Sequence, residues 1–176
     1  MRTIQERALD LFDERGFGAV TIEEIAAAAE VSPSSVYRYF GTKEALIVAD
    51  EFDSMSSEAL DSFLDPADPV TSLVEAVRRY ESPTRAEGPW RRVRYFFTEP
   101  SVRSAVLATL DRAAGRIAPL LVADGGLNPA QARVAAHAIA FGYFAALETW
   151  YDDGGTGPIA RYVEDGLAPL RSIWAD

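Results

Sequence analysis

Apolar residues recur every three to four positions along most of the chain, which is the spacing of one face of an α-helix. In the first segment Ile4, Ala8, Leu11 and Phe12 share such a face, and Gly16 follows as a helix-ending residue. The last segment carries a similar stripe at Ile159, Val163, Leu167, Leu170 and Trp174. No segment alternates apolar and polar residues as a strand would, so the sequence predicts an all-α fold.

The same periodicity predicts further helices between these two. Stretches rich in proline, glycine and aspartate separate the periodic segments and are expected to be loops. Two short helices are expected between positions 21 and 40. The remaining helices are expected over positions 43–64, 70–80, 90–99, 101–124, 130–152 and 159–174, with a kink at Pro119.

Helix-start signals are strongest between positions 21 and 41. Thr21 is followed three residues later by Glu24, the spacing of a capping box. Ser32 followed by Pro33 is a second start signal, with an N-cap residue and then proline at the first helical position. Gly41 ends that second helix. Two short helices joined by a tight turn are typical of a helix-turn-helix.

The apolar residues of these two short helices predict how they pack. Ala26 is small enough to let the helices approach closely, while Val31, Val36 and Phe40 form an apolar seam between them. The second helix then turns the following side chains outward: Ser34, Ser35, Tyr37, Arg38 and Tyr39.

The outward side chains suit an anionic groove, because no carboxylate occurs between Val31 and Lys43. Serine and tyrosine hydroxyls can donate to phosphates, and Arg38 can fork onto a guanine edge or a phosphate. Lys43 lies at the expected start of the next helix, where free N–H groups also favour a phosphate. These features predict that the segment binds DNA.

Composition restricts how such binding could work. The chain has 176 residues and a formal net charge of −10, and residues 1–50 hold five basic and nine acidic residues. DNA contact must therefore be local and geometric, since bulk charge opposes it. There is no cysteine, and no apolar run approaches the roughly 20 residues of a membrane helix. We expect a cytoplasmic protein without membrane association.

The string "EVSPSSVYRYFGTKEALI" resembles the signature of the TetR family of bacterial transcriptional regulators. The resemblance implies phosphate contacts by Thr21 and Lys43 and a groove-facing recognition helix. The complete predicted DNA-binding set is Thr21, Ser32, Pro33, Ser34, Ser35, Tyr37, Arg38, Tyr39 and Lys43. Glu30 departs from the pattern, because glycine is frequent at this turn position. A left-handed backbone at Glu30 would cost about 1 kcal/mol.

The resemblance also implies an N-terminal DNA-binding domain over residues 1–46 and a ligand-binding and dimerisation domain over residues 47–176. The ligand would be a small molecule, and the segment "RYFFTEPSVRSAV" resembles regulators with an acyl-CoA-like ligand domain. Predicted pocket residues are Phe52, Met55, Phe63, Trp90, Arg92, Arg94, Phe97, Tyr143 and Trp150. The alternative for the aromatic residues is ordinary core packing, and for the arginines it is surface salt bridges.

The last two helices are rich in small and apolar residues, which is typical of an interface. In the family this pair of helices forms a four-helix bundle with a second copy. Predicted interface residues are His137, Phe141, Phe144, Leu167, Leu170 and Trp174. A homodimer would also present two recognition helices to a pseudo-palindromic operator.

These features predict a ligand-responsive, DNA-binding transcriptional regulator, as a repressor rather than an activator. The alternative is a helical small-molecule-binding or interaction protein whose helix-turn-helix docks a protein. An enzyme is not expected, because cysteine is absent, the single histidine has no adjacent acid and no glycine-rich phosphate loop occurs. We expect no metal site and no cofactor.

Overall fold

The computed structural model describes residues 2–49, 52, 55–81, 89–123 and 125–174, which contain helices and no β-strand. The α-helices of these residues are α1 (Arg2–Arg15), α2 (Ile22–Ala28), α3 (Pro33–Phe40), α4 (Ala45–Val48), α5 (Ser57–Phe63), α6 (Pro69–Tyr80), α7 (Val93–Thr98), α8 (Pro100–Ala123), α9 (Pro129–Asp152) and α10 (Ile159–Leu167). Short 3-10 segments cover Phe17–Ala19, Pro89–Arg92 and Ala168–Trp174. The predicted all-α fold is confirmed.

The helix-start signals in the first quarter of the chain form as predicted. The Thr21 hydroxyl accepts a hydrogen bond from the Glu24 backbone N–H, and the Glu24 carboxylate accepts one from the Thr21 N–H at 2.8 Å. Ser32 caps α3 by accepting from the Ser35 N–H, with Pro33 in the first turn. These bonds satisfy N–H groups that a helix start leaves without an internal partner.

The prediction of one continuous helix over positions 43–64 is wrong. The structure contains two short helices instead, because α4 ends at Val48 and α5 begins at Ser57. Side chains from other elements, Gln5 and Arg92, donate to the last carbonyls of α4. Ser56 then caps α5 as a separate helix.

The final predicted helix is correct at its start and only partly correct at its end. The α-helical part runs from Ile159 to Leu167, and the chain continues as a 3-10 segment to Trp174. Pro169 lacks the N–H that a continuing α-helix would use, which accounts for the change. Pro119, by contrast, is accommodated inside α8.

The buried apolar side chains form two clusters. The larger contains residues of α1 to α4 together with residues of α6 to α10, and the smaller lies among α8, α9 and the end of α5. Phe12 of α1 lies 6.0 Å from Tyr95 of α7, measured between ring centroids. The first 49 residues therefore share their core with the rest of the chain. The predicted domain boundary at positions 46 and 47 falls within α4.

Candidate nucleic-acid interface

The inner face of α3 is held against α2. Val36 is almost fully buried and belongs to the same core as Ile25 and Ala26, with Val31 and Phe40 packed at its edge. The small side chain of Ala26 permits this close approach. The predicted seam is confirmed, and it fixes which face of α3 remains exposed.

The turn between α2 and α3 requires a left-handed residue. Glu30 has a φ of 54°, and among the described residues it is the one non-glycine with positive φ. The next N–H, that of Val31, donates to the Ala26 carbonyl at 2.9 Å, which closes the turn. The chain tolerates a backbone strain of about 1 kcal/mol here, because the turn is fixed by packing on both sides.

The outer face of α3 carries polar and aromatic side chains. Tyr37 and Tyr39 are 49% and 51% exposed, and Ser34 and Arg38 are also exposed. The Arg38 guanidinium lies 4.9 Å from the centroid of the Tyr39 ring and donates to its hydroxyl. This stacking holds the guanidinium on the exposed face with donors still available.

The serine hydroxyls form a cluster at the start of α3. The Ser32 Oγ lies 2.8 Å from Ser34 Oγ and 2.9 Å from Ser35 Oγ. Pro33 lies between them at the exposed first turn. Ser32 thus serves the cap, while Ser34 is exposed and Ser35 half-buried beside it.

Thr21 and Glu24 interact more strongly than the capping pattern alone requires. The Thr21 hydroxyl donates to the Glu24 carboxylate at 3.0 Å, and Arg15 forms an ion pair with the same carboxylate at 2.8 Å. The backbone hydrogen bond from Thr21, followed by the bonds from Arg15 and the Thr21 side chain, lowers the pKa of Glu24 to about 2. The hydroxyl hydrogen that Thr21 would offer to a phosphate is therefore already engaged.

Lys43 points into the molecule. Its Nζ donates to the carbonyls of Phe17 at 2.7 Å and Val20 at 3.0 Å, and it lies 4.3 Å from the centroid of the Phe17 ring. The side chain is half-buried. Two of the three ammonium donors are thus used within the protein.

Comparison with known proteins identifies this part of the chain. Residues 4–49 match the family described as bacterial regulatory proteins, tetR family. Residues 4–49 form a TetR-family domain. The HTH-type transcriptional repressor Rv3405c of Mycobacterium tuberculosis is 48% identical over 46 residues, which are 26% of this chain and 24% of that protein. The match therefore spans about a quarter of that relative's length and lies in the TetR-family domain.

Solved structures resemble the chain over nearly its whole length. The NalD repressor of the MexAB-OprM multidrug efflux pump in Pseudomonas aeruginosa is 23% identical, covering 96% of this chain and 93% of that one with a TM-score of 0.54. The FadR repressor of Thermus thermophilus, solved with lauroyl-CoA, is 24% identical, covering 96% and 92% with a TM-score of 0.53. These similarities show that residues beyond the TetR-family domain share the fold of such regulators.

Several charged side chains join the TetR-family domain to the rest of the chain. Arg91 donates to Asp10 at 2.8 Å and also to Asp13, and Arg94 and Tyr95 both donate to Asp13. Burial, followed by the hydrogen bond to Asp13, raises the pKa of Tyr95. We call this set of five residues the joint. It connects α1 with the 3-10 segment Pro89–Arg92 and α7.

The end of α4 is fixed at the same place. The Gln5 side-chain amide donates to the carbonyls of Leu46 at 3.1 Å and Ala49 at 2.8 Å. The Arg92 guanidinium donates to the carbonyls of Ile47 at 3.2 Å and Ala49 at 3.0 Å. Sequence analysis missed Gln5, since a lone polar residue on α1 gives no signal of a contact more than forty positions away.

Arg92 and Arg94 therefore have a different placement from the predicted one. Both guanidinium groups bond to groups of the protein, Arg92 to carbonyls at the end of α4 and Arg94 to other residues of the joint. Arg94 pairs with Asp13, as the salt-bridge alternative predicts. Arg91 and Arg78 also form ion pairs, and Arg78 lies 2.6 Å from Glu164. The arginines hold elements together in this structure.

The predicted aromatic pocket residues lie in different places. Phe97 and Tyr143 both pack at the edge of the larger core. The centroid of the Phe97 ring lies 5.2 Å from the ring centroids of Phe144 and Tyr151. Trp150 is buried in that core and donates to the Gly157 carbonyl.

Other predicted pocket residues lie near the smaller core. Phe52 and Phe63 pack against it, and Arg116 donates to the carbonyls of Phe52 and Met55. The side chain of Trp90 lies outside the described residues. The predicted pocket residues are thus divided between the two cores. That they line a single ligand pocket stays a prediction.

A surface cleft of about 400 Å³ lies between α1, the end of α2 and the 3-10 segment Pro89–Arg92. Its lining residues are Arg7, Asp10, Leu11, Asp13, Glu14, Ala28 and Arg91. None of the predicted pocket residues whose side chains the structure describes lines it. The cleft borders the joint, and its charged side chains are largely paired with one another.

The predicted dimer interface needs correction. Phe144 and Leu167 are buried inside the single chain, so their side chains do not lie on an exposed face. Close packing of α9 on α10 explains this, because a Cβ at Gly142 would lie only 2.6 Å from Leu167. Phe141 is exposed, at 38%, and Leu170 is half-buried. The side chain of Trp174 lies outside the described residues.

The exposed side of α9 contains an apolar residue that sequence analysis missed. Val134 is 68% exposed and lies two helical turns before Phe141. Between them His137 stacks on Phe141 and bonds to the Arg133 carbonyl and the Asp111 carboxylate. We call the exposed surface formed by Val134 and Phe141, with His137 between them, the α9 face.

No helix among the described residues has both the length and the apolar character needed to cross a membrane.

Proposed function

We propose that the protein is a DNA-binding transcriptional repressor that binds a pseudo-palindromic operator as a homodimer and responds to a small molecule. One observation carries the proposal. The outer face of α3 exposes hydroxyls and a guanidinium without a carboxylate, and the Val36 seam and the two caps fix that face. Phosphate contacts orient a protein on a duplex, and base contacts specify the sequence.

The proposed contacts follow from the exposed chemistry. Ser34, Ser35, Tyr37 and Tyr39 are proposed to donate to phosphates, while Arg38 reads a guanine edge in the major groove. Thr21, Ser32 and Pro33 lie at helix starts beside this face, where the backbone approaches the duplex. One protomer offers few contacts, which is a reason to propose two.

We propose that the α9 face, together with α10, forms the interface between two copies. An exposed apolar surface on an otherwise acidic chain favours self-association over contact with water. The two-fold axis would then present two copies of α3 to half-sites about one helical turn apart. We propose that the protein acts in the cytoplasm, because the DNA that it would bind is there.

We propose that residues 47–176 bind the effector and that residues 1–46 bind DNA. An effector can shift the position of the DNA-binding domain only through different affinities for two arrangements. The joint lies on the route between the two parts, because Arg91, Arg94 and Tyr95 hold Asp10 and Asp13 of α1. The lauroyl-CoA complex of the similar FadR structure makes acyl-CoAs the first effectors to test.

The DNA-binding proposal is tested by selection of genomic fragments followed by titration over a salt series. We expect nanomolar to micromolar binding to a two-fold-symmetric site, with affinity that falls steeply as salt rises. The double variant Tyr37→Ala/Arg38→Ala should lose this binding while retaining its circular dichroism spectrum. A salt-independent interaction with a protein, and none with duplex, would favour the protein-docking alternative.

The effector proposal is tested with lauroyl-CoA, with coenzyme A and laurate as separate controls. We expect lauroyl-CoA to raise the melting temperature and to release the operator from the protein. If no acyl-CoA raises the melting temperature or releases the operator, acyl-CoAs are the wrong ligand class. That result would leave the DNA-binding proposal intact.

A further inference from the structure

Lys43 is the single lysine of the chain, and its surroundings differ from those of a surface cation. Its ammonium has three donors, and two of them bond to the carbonyls of Phe17 and Val20. The Phe17 ring, itself buried, faces the same ammonium at 4.3 Å. A phosphate would have to accept the third N–H or displace both carbonyls.

These contacts join two ends of the helix-turn-helix. Phe17 and Val20 belong to the connection that leads from α1 into the N-cap of α2, whereas Lys43 follows Gly41 at the end of α3. The two ends are separated by more than twenty residues in sequence. One side chain therefore ties the entrance of α2 to the exit of α3.

Arg38 provides the contrast within the same unit. Its guanidinium lies on the exposed face and bonds, within the described part of the chain, to the neighbouring Tyr39 hydroxyl. It can be redirected to a base or phosphate without breaking contacts between elements. Lys43 cannot be redirected in this way, since its ammonium bonds to the connection before α2 while its backbone follows α3.

We propose that Lys43 is a positioning residue, which sets the orientation of α3 in the TetR-family domain rather than supplying a phosphate contact. The inference rests on the proposed DNA binding and assigns Lys43 a role different from the phosphate contact implied by the family resemblance. A tilted α3 would still carry its charges and meet phosphates, but it would lose alignment with the base edges. Loss of Lys43 should therefore reduce sequence discrimination more than general affinity.

The test compares Lys43→Met, which keeps most of the stem without donors, with Lys43→Gln, which keeps a neutral N–H donor. Arg38→Met is the matched control for loss of one positive charge from the exposed face. For each protein, binding to the selected operator and to an unrelated duplex is measured over a salt series. Melting temperature and amide hydrogen exchange of residues 17–24 are measured in parallel.

We expect the operator affinity of Lys43→Met to fall about tenfold, the equivalent of about 1.4 kcal/mol. Its affinity for unrelated duplex and the dependence of both affinities on salt should stay unchanged. Lys43→Gln should lie between wild type and Lys43→Met in its preference for operator. Amide exchange of residues 17–24 should be faster in Lys43→Met.

Two results would overturn the proposal. In the first, the slope of log affinity against log salt concentration becomes shallower by about 0.9 for each protomer, and affinity falls equally for both duplexes. This result would make Lys43 a phosphate contact. Unchanged exchange at residues 17–24, or a lower melting temperature with unchanged DNA preference, would also exclude a positioning role. If Lys43→Met does not fold, Lys43→Gln decides by the same measurements. Wild-type protein that binds no duplex would refute the proposed function itself. The exchange measurement would still test whether Lys43 holds the entrance of α2 to the exit of α3.

Discussion

Two faces of this molecule, one on α3 and one on α9, are exposed in the single chain but differ in chemistry. The α3 face presents Tyr37, Arg38 and Tyr39 with hydroxyl and guanidinium groups outward. The α9 face presents Val134 and Phe141 on a helix rich in small residues. Donors suit a phosphate-lined groove, and apolar side chains suit a second apolar surface.

The two faces also differ in what maintains them. The α3 face depends on caps and a turn within about twenty residues, Thr21 to Gly41. The α9 face depends on which side chains α8 and α10 cover, and this requires the whole C-terminal part to fold.

The largest expected effect comes from placing charge on the α9 face. In the double variant Val134→Glu/Phe141→Glu, each protomer would bring two carboxylates into the proposed interface, at a cost of several kcal/mol. We expect a monomer in sedimentation equilibrium and a large loss of operator affinity.

Val122→Glu is the matched control, because Val122 is an exposed apolar residue on α8. It should remain a dimer. A double variant that also stays dimeric would show that the two copies meet at another surface. The α9 face would then not be the dimer interface.

Arg38→Ala tests the α3 face at its most specific point. If Arg38 reads a base, the substitution should remove about 1–3 kcal/mol of discrimination at one operator position. Competition binding with single-base operator variants measures this loss. Arg38→Lys is the control, since it keeps the charge and loses the fork. Equal weakening on every sequence would make Arg38 a phosphate contact.

Glu30→Gly tests the turn that supports the α3 face. Glycine adopts a φ of 54° without the penalty that Glu30 bears, so we expect a gain of about 1 kcal/mol in the free energy of unfolding. Urea denaturation measures the gain, and Glu30→Ala is the control because alanine keeps the strain. A destabilised glycine variant would show that the Glu30 side chain makes a contribution larger than its strain.

The smallest expected effect concerns the capping box under acid. The folded-state pKa of Glu24 is lowered from 4.5 to about 2, so its contribution to stability is full above pH 4.5 and is lost as the pH falls towards 2. Glu24→Gln should melt below wild type at neutral pH, and the difference should close over this window.

Glu23→Gln is the matched control, since Glu23 lies in the same helical turn and is exposed. Its difference from wild type should stay constant over the same pH range. A Glu24→Gln difference that also stays constant would mean that the charge of Glu24 does not support the cap.

Sequence patterns predicted the TetR-family domain closely but failed immediately after it. The capping box, the Ser32 cap and the Val36 seam are all present. The expected helix over positions 43–64 is divided, because Gln5 and Arg92 bond to carbonyls at the end of α4. Helical periodicity records which residues could share a face, and it contains no information about such distant donors.

The sequence by itself determined the features whose causes lie within a few residues. They are the helix starts, the left-handed turn and the absence of carboxylates on α3, which together specify the helix-turn-helix of the TetR-family domain. Only the tertiary structure decided the direction of the Lys43 ammonium, the pairing of Arg94 with Asp13 and the burial of Phe144. These depend on groups 23 to 81 positions apart meeting in space, and a free side chain and a bonded one look the same in sequence.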